Sequence, residues 1–373
     1  MTKNDILTTL LLLSLSACAY KPPEERTLEI FREQGFSEQD PGRLRMLLRE
    51  KGAAGLKEAD PYSEIVERRR ALKLSSAAPA PSFGMLTGIK DGGYCLFRVF
   101  KGSPAEKAGL RDRDKLLSVN SQPPGSEGFL KALAGGGQLA IRAARRGSGG
   151  VSEFDAAVKA EPFSAPEIFG FYEPGTRTAF VRLGLFYGDS AAIAASGLAG
   201  LVKQGARNVV LDLRGNRGGS PAEAADLLTL FARKPGPVLR LASRHELYSR
   251  DYLARKAGPF SGFRVAVLVD GGTSMTGEVF AASLKELAGA ALVGSRTAGR
   301  VSVQKTFPLG EGRGLRLTVA RLVTASGADL EGRGVQPDVP AGGGTPAWGA
   351  ASLLSDKAYS AALESLRGGS RAP

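Results

Sequence analysis

Apolar and polar residues follow three different periods along the chain, and each period predicts a different kind of structure. The highly charged segment 20–74 is expected to form a helical arm, because apolar side chains recur in it at helical spacing. Segment 82–162 changes to short alternating runs separated by turns, which is typical of strands. From residue 167 onward, apolar runs alternate with amphipathic stretches, and this order predicts a layered α/β core. The apolar residues of the arm include Leu28, Phe31, Leu44, Leu47 and Leu48.

The same pattern divides the α/β core into elements. Short continuous apolar runs predict strands, and longer amphipathic runs predict helices. Two late strands, near Phe307 and at 315–324, are expected to close the sheet. The other strands are expected at 178–183, 208–213, 263–269 and 291–294, and the helices at 191–204, 221–231 and 278–287.

The N-terminus carries the pattern of a bacterial export signal. The apolar run 6–17 has twelve residues, too short to span a bilayer core of roughly 30 Å as a helix but suited to a signal peptide. It ends in Leu-Ser-Ala before Cys18, which resembles the lipobox of bacterial lipoproteins, where the cysteine is lipidated. Residues 1–17 are therefore expected to be a lipoprotein signal peptide. The alternative is a plain signal peptide with an incidental cysteine.

Lipidation would place the exported chain at the periplasmic face of the cell envelope. Ala19 follows the cysteine where an aspartate would retain lipoproteins at the inner membrane, so the outer membrane is favoured in a Gram-negative host. The net charge of +13 favours anionic surfaces. Export directs that charge toward lipid headgroups or envelope polymers, and nucleic acid is not expected as a partner.

Composition limits the remaining chemistry. The chain has 373 residues, 43% of them apolar and 23% charged, which fits a soluble globular protein with room for two domains. One histidine and one further cysteine, Cys95, give no basis for a metal site or an internal disulfide. No metal and no cofactor is expected, and Cys95 is expected to be a small buried side chain.

A string of turn and helix signals in segment 82–162 resembles a known domain. Gly-Ser-Pro-Ala-Glu-Lys-Ala-Gly-Leu at 102–110 places a proline at a helix start and a glycine at its end. Together with Asp-Lys-Leu-Leu-Ser-Val-Asn at 114–120, it resembles the core of a PDZ domain, which binds peptides as an added strand and captures the terminal carboxylate with backbone amides. The alternative is a PDZ fold that serves only as a spacer or lid. The resemblance implies a peptide-binding loop at Phe83, Gly84, Met85 and Leu86.

Several blocks of the α/β segment resemble the tail-specific, or C-terminal processing, serine peptidases. Asn-Val-Val-Leu-Asp-Leu-Arg-Gly-Asn-Arg-Gly-Gly at 208–219 matches a strand and glycine loop of that family. Leu-Arg-Leu-Thr-Val-Ala-Arg at 315–321 and Gly-Val-Gln-Pro-Asp-Val at 334–339 match its closing strand and a later signature, and Asp-Pro-Tyr-Ser at 60–63 resembles the segment that leads into its PDZ domain.

The resemblance implies a fold class and a division into domains. The fold class is α/β, with a PDZ domain, a layered tail-specific-protease core of the ClpP/crotonase-like type and an N-terminal helical arm. The expected parts after the signal peptide are a helical arm and linker at 18–81, the PDZ domain at 82–162, the peptidase-like domain at 163–345, and a C-terminal helix and tail at 346–373.

The resemblance also implies which residues stand at the reactive positions. In active members, a serine three residues before a glutamate attacks the peptide carbonyl, and a lysine 25 residues downstream takes its proton. Counting back from Glu278 reaches Met275, and Arg300 stands 25 positions later. A thioether cannot form an acyl-enzyme, and a guanidinium stays protonated at ordinary pH. Gly218 and Gly219 are implied as the residues of the oxyanion site and substrate channel.

Three other residues could restore catalysis. Ser274 is an alternative nucleophile one position from the expected site, although a serine at a helix start is also a common N-cap or turn residue. Lys305, the nearest downstream lysine, is expected on a strand, and His245 is expected to be a solvated loop residue.

The sequence therefore predicts an exported lipoprotein of the serine-type C-terminal processing family that is a pseudopeptidase. Its partners would be protein C-terminal tails, unfolded polypeptide or an active protease, bound through the PDZ groove and the former substrate channel, with the membrane contacted through the lipid. The alternative is an active serine endopeptidase that cleaves periplasmic or envelope proteins with a rearranged catalytic set.

Overall fold

A computed structural model describes residues 23–36, 40–67, 81–90, 93–135, 137–147, 149–163, 168–342 and 356–368. The expected signal peptide, Cys18 and the linker before the PDZ domain lie outside the described residues. The described residues form two compact units: the first comprises those within 23–67, 243–249 and 302–321, and the second those within 81–242, 250–301 and 322–368.

The described elements have the following bounds. The helices are α1 (Pro23–Gln34), α2 (Pro41–Lys51), α3 (Ala53–Ala59), α4 (Pro104–Lys107), α5 (Glu127–Ala134), α6 (Ser190–Lys203), α7 (Pro221–Thr229), α8 (Thr276–Ala288) and α9 (Lys357–Gly368). The strands are β1 (Glu64–Glu67), β2 (Pro81–Ser82), β3 (Met85–Lys90), β4 (Gly93–Val99), β5 (Lys115–Val119), β6 (Gln138–Gly147), β7 (Gly150–Lys159), β8 (Glu161–Pro162), β9 (Ile168–Glu173), β10 (Thr178–Leu183), β11 (Asn208–Asp212), β12 (Gly236–Ala242), β13 (Arg250–Ala254), β14 (Arg264–Val269), β15 (Ala291–Gly294), β16 (Ser302–Gly310), β17 (Arg313–Thr324) and β18 (Val339–Pro340).

The first unit contains the predicted helical arm, but the arm does not stay helical to residue 74. After α1, α2 and α3 the chain forms the strand β1, which pairs antiparallel with β17. The buried carboxylate of Asp60 fixes this change of direction, because it accepts hydrogen bonds from the Ser63 hydroxyl at 2.5 Å and the Thr318 amide at 3.0 Å. The helices and strands of the unit share one apolar core, formed by Ile30, Phe31, Leu44, Leu56, Leu309, Leu315 and Leu317.

The prediction that the two late strands close the α/β sheet is wrong. β16 and β17 pair antiparallel with each other and do not join the parallel sheet of the second unit. The physical reason is the connection between them, where Glu311 and Gly312 both have positive φ, at 52° and 73°. Two such residues form the tight turn that folds neighbouring strands into a hairpin.

The PDZ part of the second unit is a five-stranded antiparallel sheet in the order β3, β4, β5, β6, β7. Ser103 caps α4 by accepting the amide of Glu106, and Pro104 occupies the first helical turn, as the sequence predicts. Phe83, Leu96, Leu116, Phe129 and Ile141 are among the side chains of its buried core. Cys95 is buried, also as predicted.

The rest of the second unit is built on a six-stranded sheet in the order β18, β15, β14, β11, β10, β9. All neighbouring pairs are parallel except β9 with β10. Because parallel strands end at the same edge of a sheet, the loops 213–220, 270–276 and 295–300 meet beyond β11, β14 and β15. This edge holds the implied reactive positions. No helix among the described residues is long and apolar enough to cross a membrane.

Candidate active site

Met275 occupies a strained turn between β14 and α8. Its φ of 55° and ψ of −128° lie outside the regions that a residue with a side chain normally adopts, and it is the N-cap position of the helix. Such strain persists only where surrounding contacts impose it, and it is concentrated at functional sites. The side chain of Met275 is half-buried.

The loop before Met275 is held by buried polar groups. The carboxylate of Asp270 accepts the amides of Gly215 at 2.8 Å, Gly272 at 2.9 Å and Thr273 at 3.0 Å. The Thr273 hydroxyl donates to the carbonyl of Leu213 at 2.8 Å. The loops that follow β11 and β14 are therefore tied to each other, and the position of Met275 is set by the sheet beneath it.

Gly218 and Gly219 lie directly against this turn. A Cβ atom on Gly218 would stand 2.6 Å from the Cβ of Met275 and 2.9 Å from the amide nitrogen of Thr276. Gly219 approaches Phe186 even more closely, since its Cβ would stand 2.0 Å from the Phe186 carbonyl oxygen. Both glycines have positive φ, at 99° and 117°. Only glycine meets both the steric and the conformational demand.

The glycine amides differ in what they can bind. The N–H of Gly218 donates to the Asn216 side chain at 2.7 Å. Phe186 bonds to the carbonyl of Gly218 and the amide of Ser220, so the N–H and C=O of Gly219 face the other way. The carbonyl of Gly219 accepts the Thr276 hydroxyl at 2.8 Å, whereas the Gly219 N–H has no hydrogen-bond partner among the described residues.

Arg300 stands within one hydrogen bond of Met275. The amide of Met275 donates to the carbonyl oxygen of Arg300 at 2.7 Å. The Arg300 side chain is exposed, and its guanidinium makes no hydrogen bond or ion pair with the residues that the structure describes. The two residues that the sequence places at the nucleophile and base positions are thus brought together by the fold.

Glu278 has a structural role that the sequence did not reveal. Its side chain is fully buried in α8, and it accepts the Thr297 hydroxyl at 2.5 Å, the Gly299 amide at 2.7 Å and the Arg300 amide at 2.8 Å. A buried carboxylate with three donors is stable only when all of them are in place. Glu278 therefore positions the loop that carries Arg300.

The alternative catalytic residues do not form a catalytic set among the described residues. The Ser274 amide donates to the Asn216 carbonyl at 2.8 Å, but its hydroxyl has no hydrogen-bond partner there. Of the two structural roles expected for Ser274, an N-cap or a turn residue, the N-cap is not observed, because that position is Met275 and no side chain caps α8. The strained backbone conformation belongs to Met275, so Ser274 lies one residue before the position where the resemblance implies a nucleophile.

The other two candidates belong to the first unit. Lys305 lies on β16, as predicted, with its ammonium nitrogen 5.1 Å from the ring centre of Tyr248 and 5.6 Å from that of Phe307. The expectation that His245 is solvated is wrong for one ring atom, since its Nε2 is buried without a described partner. The short 3₁₀ turn Glu246–Tyr248 packs the tyrosine against the histidine ring, with the ring centres 6.2 Å apart.

A buried ion network, also missed from the sequence, supports the glycine loop. Arg214 bonds to Asp212 on β11 and to Asp356 just before α9, with closest distances of 2.6 and 2.7 Å. Burial lowers the pKa of the Arg214 guanidinium, but the charge of Asp212 and the hydrogen bonds to both carboxylates outweigh it and raise that pKa above its usual value. Arg182 donates to the Arg214 carbonyl at 2.5 Å.

The implied carboxylate-binding loop of the PDZ part is buried, and fewer side chains hold its backbone than hold the strained turn. Phe83 is fully buried, and Gly84 has a φ of 67° with no room for a Cβ beside Ser103. The Gly84 amide donates to the hydroxyl of Ser82 at 3.0 Å. Met85 is buried at the start of β3, and the side chain of Leu86 lies outside the described structure.

Two segments of the chain match known protein families. Residues 177–341 match the model of peptidase family S41, and residues 98–133 match a PDZ domain model. The carboxy-terminal processing protease CtpB of Bacillus subtilis is 26% identical over 292 residues, which cover 75% of this chain and 59% of that protein. CtpA of the same organism is 27% identical over 289 residues, which cover 76% of this chain and 61% of that protein. The chain thus spans about three fifths of these relatives.

Solved structures show the same fold. A photosystem II D1 C-terminal processing protease superposes with a TM-score of 0.53 at 22% identity, covering 85% of this chain and 92% of that one. A structure from Bacteroides fragilis named "Putative S41 protease" superposes with a TM-score of 0.50 at 19% identity, covering 91% of this chain and 96% of that one. At these identities the likeness concerns the fold alone.

Proposed function

We propose that this chain, in which residues 177–341 match peptidase family S41 and residues 98–133 match a PDZ domain, is a non-catalytic relative of the carboxy-terminal processing proteases that binds polypeptide C-termini. The observation that supports the proposal is the identity of the two residues at the strained turn, Met275 and Arg300. A methionine occupies the turn, and the backbone of an arginine bonds to it. A thioether cannot accept an acyl group and then release it to water, and a guanidinium cannot take a proton.

The parts that would hold a polypeptide remain. Among the described strands, β3 pairs only with β4, so its other edge is open to an added strand. Gly219 is exposed, and its N–H has no hydrogen-bond partner among the described residues. These features support binding of protein C-terminal tails or unfolded polypeptide, or docking onto the tail of an active protease.

We extend the proposal to location on sequence grounds. Residues 1–17 would direct export, and lipid on Cys18 would hold the chain at the periplasmic face of the envelope. The net charge of +13 would add attraction to anionic lipid or envelope polymer. Mass spectrometry of the exported chain should find a diacylated cysteine at its N-terminus, and an unmodified N-terminus at another residue would contradict this part.

Fluorophosphonate labelling tests the loss of catalysis. The purified chain should neither take up a serine-directed fluorophosphonate nor cleave unfolded proteins with apolar C-termini. Labelling that disappears in Ser274→Ala would contradict the proposal and support a rearranged serine endopeptidase. An active member of the same family serves as the positive control for reagent and substrate.

Restoring the reactive residues tests the assignment of positions. The double variant Met275→Ser, Arg300→Lys should acquire labelling, because the strained turn and the Glu278 contacts that position it are already present. Each single variant should remain unlabelled, since the nucleophile and its base act as a unit. Labelling of the double variant at a residue other than 275 would contradict the assignment.

A further inference from the structure

The loops that meet at the strained turn carry positive charge without an exposed carboxylate. Loops 213–220, 270–276 and 295–300 contain three exposed arginines, Arg217, Arg296 and Arg300. Their one acidic residue, Asp270, is buried and accepts three backbone amides. Glu278 beneath them is likewise occupied by one hydroxyl and two amides. The local field at this edge of the sheet therefore favours an anion.

Arg300 is placed to provide direct contact. Both its backbone groups are fixed, the amide by Glu278 and the carbonyl by the amide of Met275. Its guanidinium has no partner among the described residues, so all of its donors remain available. An arginine side chain that leaves from a backbone bonded to Met275 is long enough to reach a group bound at the turn.

A second donor comes from the glycine loop. The Gly219 N–H is turned away from Phe186 and has no hydrogen-bond partner among the described residues, and Gly219 as a residue is exposed. A carboxylate has two oxygens, of which one can accept from a backbone amide and the other from a guanidinium. The half-buried methionine beside them offers an apolar wall and no competing hydrogen-bond donor.

We infer that this altered centre binds the free carboxylate of a polypeptide C-terminus, with the Arg300 guanidinium and the Gly219 N–H as donors. The inference rests on the proposed non-catalytic function and names the ligand of its peptide channel. Arginine at the base position then has a positive role, because it recognises a chain that already ends at the position where active members would cut.

Paired peptides test this inference on the full chain. A fluorescein-labelled peptide with apolar C-terminal residues is prepared with a free carboxylate and with a C-terminal amide, and affinities are measured by fluorescence anisotropy. Arg300→Gln should weaken binding of the carboxylate peptide about tenfold, the effect of losing a charge-assisted hydrogen bond, and leave the amide peptide unchanged. Arg300→Lys should retain most of the carboxylate preference.

Comparison of the ratios between variants separates the Arg300 site from the PDZ groove. Any carboxylate preference of that groove is the same in every variant, and it cancels when the affinity ratio of a variant is divided by that of the unaltered chain. Arg296→Gln removes an equal charge from the same loop and should lower the ratio much less than Arg300→Gln, because Arg296 contributes to the local field but is not one of the two donors. An equal fall in both variants would overturn the direct contact of Arg300. Arg300→Met provides a second neutral variant if the glutamine variant folds poorly.

Each outcome has a distinct meaning. If Arg300→Gln and Arg300→Met leave the ratio unchanged while the peptides still bind, the carboxylate site is overturned and tail binding by the protein survives. If the unaltered chain binds neither peptide, tail binding and the carboxylate site both fail. Fluorophosphonate labelling reports on catalysis separately from either result.

Discussion

Two glycine-containing loops of the second unit differ in the groups that accept hydrogen bonds from their backbone amides. At the strained turn, the amides of Gly218, Met275 and Arg300 are all bonded to internal groups, and a fully buried carboxylate helps to hold the structure. In the PDZ loop, the Gly84 amide is held by one hydroxyl, that of Ser82. The first loop is held by several polar groups that include buried carboxylates, whereas the Gly84 amide of the second loop depends on one neutral hydroxyl.

This difference explains how reactive side chains can change without loss of the site. The geometry of the turn comes from Asp270, Asn216 and Glu278, which contact backbone groups rather than the Met275 side chain. Replacement of the side chain at the turn therefore leaves its framework in place. Three substitutions test this difference between the two loops.

Removing the buried carboxylate should have the largest effect. Glu278→Ala leaves two amides and one hydroxyl without their acceptor, and the free energy of unfolding should fall by about 3–5 kcal/mol. Urea denaturation measures the change. Glu246→Ala, at an exposed glutamate, is the matched control and should change stability by about 0.5 kcal/mol or less. A loss of similar size in both variants would contradict the framework role of Glu278.

Adding a methyl group to the glycine loop should have an intermediate effect. Gly218→Ala combines positive φ with a contact of 2.6 Å to Met275 Cβ, so a loss of about 2–3 kcal/mol is expected. Gly188→Ala is the control, because Gly188 also has positive φ, at 56°, but a Cβ there meets nothing within 4 Å. Its loss should be about 1 kcal/mol. Equal losses would show that the turn yields to the added methyl group.

Removing the hydroxyl from the PDZ loop should have the smallest effect on stability. Ser82→Ala leaves the buried Gly84 amide without its acceptor and should lower the free energy of unfolding by about 1–2 kcal/mol, less than either variant at the strained turn. Affinity for the carboxylate peptide should stay the same or rise, because the freed amide can donate to the ligand. Thermal unfolding and fluorescence anisotropy measure the two quantities. A large loss of both would mean that the PDZ loop is as rigid as the strained turn.

Local sequence signals were sufficient to place individual elements and to reveal the relationship to C-terminal processing peptidases. Ser103 and Pro104 begin α4 because a capping hydroxyl and a fixed φ act within one turn, and the apolar runs 208–213 and 291–294 form strands of the parallel sheet. The α/β fold class and the relationship to C-terminal processing peptidases are confirmed by the comparisons. The separation of 25 residues between Met275 and Arg300 could also be read from the sequence, because it is counted along the chain.

The pairing of distant strands and the partners of buried charges depend on how the elements meet in three dimensions. β1 was hidden in a segment with helical spacing because its partner β17 lies far along the chain. Asp356 could not be assigned as the partner of Arg214 for the same reason. In the sequence, Glu278 served only to locate Met275 three residues earlier, and its role as the hydrogen-bond acceptor of the loop 297–300 was not visible. Periodicity reports which face of an element is apolar. The partner of a buried charge depends on how separate elements meet, and that information is not local.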